Sequence, residues 1–210
     1  MRGFQSASCR AIVAAILILP TVAFAADDCP TGKNGKDGFV VERSGSSTTD
    51  VFHVDATTVR TVMRSGGRML LETTQFQGLL QLDRIDTGRR TTFRPKAALA
   101  PIFPLKLNQQ STAVFDVEEA DKPATSATFT LSVKGKDALF IGPCRYDVFK
   151  VELTETRGNG RPRLEIDYYS PELKLIIGKE YKERDGRSNL MRSGVELFSD
   201  GLNNFDLCSF

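Results

Sequence analysis

Four successive segments in the second half of the chain alternate strictly between apolar and polar residues. The apolar positions are Ala113, Phe115 and Val117; Ala127, Phe129, Leu131 and Val133; Phe149, Val151 and Leu153; and Leu164, Ile166 and Tyr168. Successive side chains of a β-strand point to opposite faces, so this period of two predicts strands with one buried and one solvated face. We expect six of these side chains to be buried together on one sheet face: Phe129, Leu131, Phe149, Val151, Leu164 and Ile166.

The first half of the chain carries shorter segments rich in Thr and Val. These segments are 39–41, 50–54, 57–64, 69–76, 79–85 and 90–93. Their spacing, with glycine-containing turns between them, is typical of a meander of hairpins. A break with Pro95, Pro101 and Pro104 separates the two halves, and we expect it to lie within a single sheet. The segment 188–197 fits either a strand or a short helix. Since no stretch of comparable length has a helical period of 3.6, the sequence predicts an all-β chain with little helix.

The N-terminus has the three parts of a secretory signal peptide. Arg2 and Arg10 are the only charged residues before position 26, residues 11–19 are all apolar, and residues 23–25 (Ala-Phe-Ala) offer a cleavage site. We expect cleavage between Ala25 and Ala26 and a periplasmic or secreted protein. The chain then divides into a signal peptide (1–25), a flexible N-terminal tail (26–37) and a single antiparallel β domain (38–210).

Two alternatives to a cleaved leader fit the sequence less well. As a membrane anchor, the apolar run is too short for a hydrocarbon core of about 30 Å, and Pro20 interrupts it. As a lipid attachment site, Cys29 follows Asp27 and Asp28, where small apolar residues are needed. No other segment is apolar enough to cross a membrane, so we expect the mature chain not to be membrane-spanning.

Removal of the leader leaves the chain without net charge. The whole sequence has 28 Lys and Arg against 26 Asp and Glu, and the leader contains two of the arginines and no acid, which leaves 26 of each. A surface without net charge gives no general attraction for phosphates, and no phosphate-binding glycine loop occurs in the sequence. The composition therefore argues against nucleic acid as a partner.

Three cysteines, Cys29, Cys144 and Cys208, follow the leader. Export to an oxidising compartment predicts a disulfide between two of them, and all three pairings are open. We favour Cys144–Cys208, because Cys144 opens a predicted strand and because Phe205 and Leu207 predict that the C-terminal tail packs back on the sheet. Cys29, by contrast, lies in a glycine-rich segment with few apolar neighbours.

No residue pattern identifies a catalytic, cofactor-binding or metal site. His53 is the only histidine, no G-x-S-x-G motif frames a nucleophilic serine, and the cysteines form no C-x-x-C pair. Acidic pairs occur at Glu118–Glu119 and Asp83–Asp86, and glycosidases use paired carboxylates. The alternating pattern predicts that these acids are solvated, and the chain has no Trp for stacking on sugars. We therefore expect no catalytic residue, no cofactor and no metal.

Arginines are concentrated in the first half of the chain, where acids are interleaved with them. They are Arg60, Arg64, Arg68, Arg84, Arg89, Arg90 and Arg94. We expect a sheet surface of balanced charge here, since an anion site would need an excess of positive charge.

Several short motifs between Pro104 and Tyr181 recur in a known group of proteins. They are 104–105 (PL), 113–117 (AVFDV), 129–135 (FTLSVKG), 142–152 (GPCRYDVFKVE), 168–174 (YYSPELK) and 179–181 (KEY). With these motifs the segment resembles exported bacterial β-proteins of the lipoprotein-carrier and DUF3108 type. The resemblance implies a single domain built as a curved antiparallel meander sheet or half-open barrel, whose concave face could hold an apolar ligand. It implies no catalytic residue.

The sequence therefore favours a non-enzymatic periplasmic β-domain that binds an apolar ligand, such as a lipid, or an envelope protein. Two alternatives stay open: an envelope glycan hydrolase that uses paired carboxylates, and a purely structural envelope protein. A lipid that copurifies with the protein would favour the binding role, and activity on wall fragments would favour the hydrolase.

Overall fold

The computed structural model describes residues 29–43, 47–182, 188–192 and 194–197, and these residues form thirteen β-strands. The strands are β1 (Phe39–Arg43), β2 (Ser47–His53), β3 (Thr58–Ser65), β4 (Arg68–Phe76), β5 (Leu80–Asp86), β6 (Arg89–Pro95), β7 (Gln110–Glu119), β8 (Thr125–Ile141), β9 (Cys144–Arg157), β10 (Arg163–Ser170), β11 (Leu175–Lys182), β12 (Ser188–Arg192) and β13 (Gly194–Leu197). Helical structure within the described residues amounts to two 3₁₀ turns, Asn34–Asp37 and Ala100–Ile102. The all-β prediction is confirmed, and the ambiguous segment 188–197 contains two strands.

The strands follow the chain order across a single antiparallel sheet. Each strand from β1 to β11 pairs with the next, and β13 pairs with β1 at the opposite end of the sheet from β12. Only one residue separates β12 from β13 in the chain, and two peptide steps span at most roughly 7 Å. The two ends of the sheet are therefore close together, so the sheet is curled, and the prediction of a curved meander is confirmed.

Buried side chains form two clusters. The first core cluster is Leu79, Leu80, Phe93, Leu99, Ile102, Leu105, Ala113, Phe115, Val117, Ala127, Phe129, Leu131, Val133, Val151 and Tyr169. The second core cluster is Phe39, Val41, Val51, Val59, Leu139, Ile141, Cys144, Tyr146, Val148, Tyr168, Leu173, Leu175 and Ile177. On β9, Val151 belongs to the first cluster and Tyr146 and Val148 belong to the second. Odd and even positions of a strand point to opposite faces, so β9 is covered on both faces.

A β-bulge in β8 moves the buried positions from one face of the sheet to the other. Val133 lies opposite Val151, but the register then shifts, and Gly135 lies opposite Lys150. One extra residue in a strand reverses the face to which all later side chains point. Beyond the bulge, Leu139 therefore contributes to the second cluster, whereas Val133 contributes to the first.

The predicted core of six side chains is confirmed in part. Phe129, Leu131 and Val151 belong to the first cluster, and Phe149 packs against it, half-buried. The prediction for β10 is wrong, because Leu164 is 52% exposed and Ile166 is buried on the face opposite to Val151.

The reason for this error is that β10 is buried on both faces. Five consecutive residues, Ile166 to Ser170, are buried. Asp167 lies directly opposite Val151, and residues opposite one another in an antiparallel pair share a face. The apolar positions of β10 thus point away from the first cluster, and Asp167 points toward it.

The N-terminal segment, expected to be a flexible tail over residues 26–37, is folded in its described part from residue 29 onward. Cys29 is bonded to Cys144, with an S–S distance of 2.08 Å and a Cα–Cα distance of 5.6 Å, and it packs against the second cluster. Pro30 and Gly35 are buried. The favoured pairing of Cys144 with Cys208 is therefore corrected, and Cys208 itself lies outside the described residues. The physical reason is that packing next to β1 holds Cys29 beside the start of β9.

Two substitutions test the position of β10. Val151→Ala should lower the free energy of unfolding by about 1.5–3 kcal/mol, because Val151 is fully buried in the first cluster. Leu164→Ala removes more carbon atoms, yet we expect well under about 1 kcal/mol, because this side chain is half exposed. Urea denaturation followed by circular dichroism measures both values. Equal losses for the two variants would contradict the strand orientation described here.

Candidate functional site

A cleft of about 560 Å³ lies between the two halves of the curled sheet. One wall comes from β2 to β5, and the other comes from β8 to β11. Its apolar lining is Met63, Leu71, Leu79, Phe129, Leu153, Leu164, Ile166, Leu175 and Ile176. Its uncharged polar lining is Thr49, Thr61, Thr73, Gln75 and Gln81. Its charged lining is Arg84, Glu155, Arg157, Arg163, Glu165, Asp167, Lys179 and Glu180. The cleft therefore offers both apolar contact and hydrogen bonding.

Contacts between turns hold the two walls of the cleft together. The Tyr169 hydroxyl donates a hydrogen bond of 2.8 Å to the main-chain oxygen of Gln77, in the turn between β4 and β5. The Lys174 ammonium donates one of 2.5 Å to the main-chain oxygen of Ala56, in the turn between β2 and β3. Gly78 lies directly against the main-chain oxygen of Lys174. The turn between β10 and β11 is thereby fixed to two turns of the opposite wall.

A network of charged side chains lies on the β10–β11 wall. Lys179 lies opposite Asp167 in the ladder, and its Nζ is 2.5 Å from Glu165 Oε2 and 3.0 Å from Asp167 Oδ1. Arg163 extends the network, with 2.7 Å between its guanidinium and Glu165 Oε1. The Lys179 ammonium thus contacts a carboxylate oxygen of both acids, and Asp167 has no exposed surface of its own.

The two carboxylates of this network differ in pKa because they differ in burial and in partners. Asp167 is fully buried, and this burial raises its pKa above the ordinary value, an effect that Lys179 offsets only in part. Burial acts in the same direction on Glu165, but Lys179 and Arg163 outweigh it, so the pKa of Glu165 is lowered. Burial alone would lower the pKa of Lys179, yet Asp167 and Glu165 together raise it. A proton in this network is therefore held on Lys179, and Asp167 is the carboxylate that is less readily ionised.

The opposite wall, formed by β2 to β5, carries a group of uncharged polar side chains. The hydroxyls of Thr61 and Thr73 are 2.7 Å apart and form a hydrogen bond across β3 and β4. Gln81 lies opposite Gln75 in the β4–β5 ladder. The side-chain nitrogen of Gln81 is buried and has no hydrogen-bond partner among the described residues.

Comparison with solved structures finds a likeness to a bacterial lipoprotein. The crystal structure of the hypothetical lipoprotein YmcC from Escherichia coli (K12) matches with a TM-score of 0.46 and 10% sequence identity, over 77% of this chain and 87% of that chain. No protein-family model and no curated protein matches the sequence. The likeness is thus to a β-rich bacterial lipoprotein. The comparisons do not show the predicted resemblance to DUF3108-type domains.

His53, which the sequence marks as the only histidine, lies at the end of β2 outside the cleft lining. It is half-buried, and its ring centroid is 6.1 Å from that of Phe39. Burial, and then the nearby charge of Lys174, lower its pKa. A histidine in this position is neutral at pH 7, and it contacts the second core cluster through Phe39.

Most of the acids and arginines that the sequence singles out are combined in ion pairs. Those pairs are Glu118 with Arg94, Glu119 with Lys122 and Arg157, Asp83 with Arg90, Asp86 with Arg84, Arg60 with Glu72, and Arg64 with Asp50. None of the acids at 83, 86, 118 and 119 lines the cleft formed by the described residues.

Metal-ligating clusters and membrane-spanning helices are both absent from the described residues. No group of three or more His, Cys, Asp or Glu side chains within them could hold a metal ion. No helix in the same part of the chain is long and apolar enough to cross a membrane.

Sequence reasoning missed the polar groups that the cleft brings together, namely Asp167, Glu165, Lys179 and Gln81. A usable signal was present for Asp167. It lies in the run Ile-Asp-Tyr-Tyr-Ser at 166–170 and is followed by the apolar run 175–177. Near-continuous apolar and aromatic residues indicate a strand buried on both faces, and an acid in such a strand needs a partner.

Proposed function

We propose that the protein is exported, loses residues 1–25, and serves as a non-enzymatic binding domain for a ligand with an apolar part. The observation that carries this proposal is the cleft between the two walls of the sheet. Met63, Leu71 and Leu153 supply a partly exposed apolar surface, while Thr61, Gln75 and Arg84 supply polar groups in the same cleft. Binding sites for small ligands combine apolar walls with a few polar groups of this kind.

The disulfide supports the location outside the cytoplasm. Cys29 and Cys144 are bonded, and such bonds persist in oxidising compartments, whereas cytosolic thiols are kept reduced. Cys29 lies close behind the proposed cleavage site between Ala25 and Ala26. A signal peptide and a disulfide in the first residues of the mature chain both fit export.

A glycan hydrolase that uses the acidic pairs is less well supported. Glu118 and Glu119 are held by Arg94 and by Lys122 and Arg157 respectively, on the surface of the sheet. Neither carboxylate lines the cleft, where a sugar would have to bind. The binding role uses the cleft and needs none of these acids.

Native mass spectrometry of the protein purified from the periplasm without detergent tests the proposal. We expect a chain that begins at Ala26, together with a bound species of several hundred daltons that organic solvent extracts. Thr61→Trp places a large side chain in the cleft and should remove the bound species. Arg60→Trp, on the other face of the same strand, should retain it.

Two outcomes would contradict the proposal. One is a wild-type protein that is empty after mild purification and that hydrolyses wall fragments. The other is a bound species that remains in Thr61→Trp at the wild-type level, because the ligand would then lie outside this cleft. Circular dichroism confirms that both variants are folded.

A further inference from the structure

The cleft opens at one end of the sheet and is closed at the other. Successive turns of an antiparallel meander lie at alternate ends, so the turns after β3, β5, β7 and β9 share one end. Among the cleft-lining residues next to these turns, Leu164 is 52% exposed. At the opposite end, Leu79 and Leu175 are buried beside the contact between Gly78 and Lys174. The path from solvent into the cleft therefore runs past the first set of turns, here called the open end.

The open end has an excess of positive charge. Its turns hold six Arg or Lys and three Asp or Glu, counted over 65–68, 86–89, 119–125 and 157–163. The turns of the opposite end hold three Lys and two Asp or Glu, counted over 53–58, 76–80, 95–110, 141–144 and 170–175.

Three arginines of the open end account for this excess. Arg68, Arg89 and Arg161 are exposed and form no ion pair among the described residues. The acids Asp86 and Glu119 in the same turns are already paired with basic side chains. The positive charge of the three arginines is therefore available to a partner.

Apolar side chains are exposed beside these arginines. Met69 and Leu70, at the start of β4, are 44% and 37% exposed. The main-chain N–H of Thr87 donates a hydrogen bond of 3.2 Å to the main-chain oxygen of Leu70, which holds this apolar pair next to the turn between β5 and β6. On the other wall of the cleft, Leu164 follows the turn that contains Arg161. Positive and apolar side chains thus lie together on both walls at the open end.

A bilayer surface with anionic lipids fits this combination of groups. Its phosphates attract basic side chains, and exposed apolar side chains become buried at the boundary between head groups and acyl chains. A hydrophilic polyanion would pair with the arginines, but it would leave Met69, Leu70 and Leu164 in water. The position of the cleft mouth among these groups is a second reason, because a membrane is where a ligand with an apolar part resides outside the protein.

We propose that the open end docks on an anionic phospholipid surface, with Arg68, Arg89 and Arg161 at the head groups and with Met69 and Leu70 in the boundary region below them. The contact is peripheral and reversible, and it brings the mouth of the cleft to the lipid. Docking goes beyond the proposed binding function and needs only this surface, whereas transfer of a ligand into the cleft rests on that function.

Cosedimentation of the mature, disulfide-bonded protein with vesicles tests the role of charge. The vesicles contain phosphatidylcholine, either alone or mixed with phosphatidylglycerol. We expect binding to the anionic vesicles to be at least about tenfold tighter than to the neutral ones, because each basic residue near an anionic surface strengthens binding by about fivefold. The triple variant Arg68→Ser/Arg89→Ser/Arg161→Ser should lose at least about tenfold in affinity for the anionic vesicles, for the same reason. Lys106→Ser, which removes an exposed lysine at the opposite end, is the matched control for Arg89→Ser and should bind like the wild type.

The chain contains no tryptophan, and this allows a direct test of orientation. Met69→Trp places a single tryptophan on the apolar part of the open end. We expect its fluorescence to shift to the blue when anionic vesicles are added, and to be quenched by lipids with brominated acyl chains. Val54→Trp places a tryptophan at the opposite end, where Val54 is 60% exposed, and its fluorescence should not change.

Three results of the vesicle experiment would overturn the proposal: no binding of the wild type to anionic vesicles, equal binding to neutral vesicles, or undiminished binding by the triple variant. Quenching of Val54→Trp instead of Met69→Trp would overturn it as well, because the opposite end would then face the bilayer.

Thr61→Trp separates docking from ligand binding, because it blocks the cleft and leaves the open end unchanged. It should cosediment with anionic vesicles like the wild type, and a loss of binding would overturn the docking surface described here. If the wild type docks but holds no ligand, the docking surface stands and the proposed binding function alone is wrong.

Discussion

Gly78→Ala should be among the most destabilising single substitutions in this chain. Gly78 has a φ of +64°, and a Cβ at this position would lie 1.6 Å from the main-chain oxygen of Lys174 and 2.4 Å from its carbonyl carbon. No rotamer change relieves this clash, because both atoms belong to the backbone. The turn between β10 and β11 must move away, and with it the hydrogen bond from Tyr169 to Gln77. We expect a loss of about 3–5 kcal/mol in the free energy of unfolding, from the combined strain and displacement.

Gly88→Ala is the matched control for the backbone conformation. Gly88 has a φ of +84°, yet nothing lies within 4 Å of the position that its Cβ would take. Its substitution therefore introduces the strain of a left-handed residue alone, about 1–2 kcal/mol. Urea denaturation of both variants gives the difference. If Gly78→Ala were no worse than Gly88→Ala, the two walls of the cleft would not be in contact at this turn.

The effect on binding should follow the effect on stability. Gly78 precedes Leu79, and Lys174 precedes Leu175, and both leucines line the cleft. Displacement of one turn relative to the other therefore changes the shape of the cleft. We expect Gly78→Ala to lose the bound ligand at temperatures where the protein is still folded, whereas Gly88→Ala should retain it.

How far the sequence predicts this fold depends on what lies on each face of a strand. In β7, Ala113, Phe115 and Val117 are buried while Val114 and Asp116 are exposed, as the period of two predicts. This works because β7 has one face on the first core cluster and the other face in solvent. The all-β class, the pairing of successive strands and the low helix content can all be predicted from such patterns and from the turns between the strands.

The same pattern misleads in β10, because alternation cannot show that a second layer covers the polar face. The curl of the sheet places this second layer over β10. The bulge after Val133 contributes, because it reverses the buried face of β8. Neither is visible as a change in composition. Gly135 is a residue typical of turns, yet β8 continues through it to Ile141.

The candidate site depends even more on contacts between distant residues. Gln81 and Asp167 come from the two walls of the cleft, and each is one polar residue in an otherwise ordinary strand. The sequence shows that both are present but not that they face a common space. Sequence reasoning assigned the acids at 83, 86, 118 and 119 to solvated faces, and in the structure each of them forms an ion pair with an arginine or a lysine. It could not say which polar residues remain without partners.

Loss of the disulfide between Cys29 and Cys144 should destabilise the protein by about 2–5 kcal/mol. The bond joins residues separated by 115 positions, so it closes a long loop and restricts the unfolded chain strongly. It also fixes the first described residues of the chain to the start of β9. We expect Cys29→Ser and Cys144→Ser to show the same loss of stability in urea, and the double variant to show no further loss, because each substitution removes the same bond.

Cys208→Ser provides the control, since the bond described here does not use Cys208. Its effect on stability should be much smaller than that of Cys29→Ser, because the Cys29–Cys144 bond remains intact. Peptide mapping without reduction should then recover a crosslinked peptide that contains both Cys29 and Cys144. A crosslinked Cys144–Cys208 peptide, together with an unaltered stability of Cys29→Ser, would instead restore the pairing favoured from the sequence. In that case only the packing of Pro30 and Gly35 would hold the N-terminal segment against the sheet. Cleavage after Ala25 would then leave a new N-terminus that no disulfide attaches to the sheet.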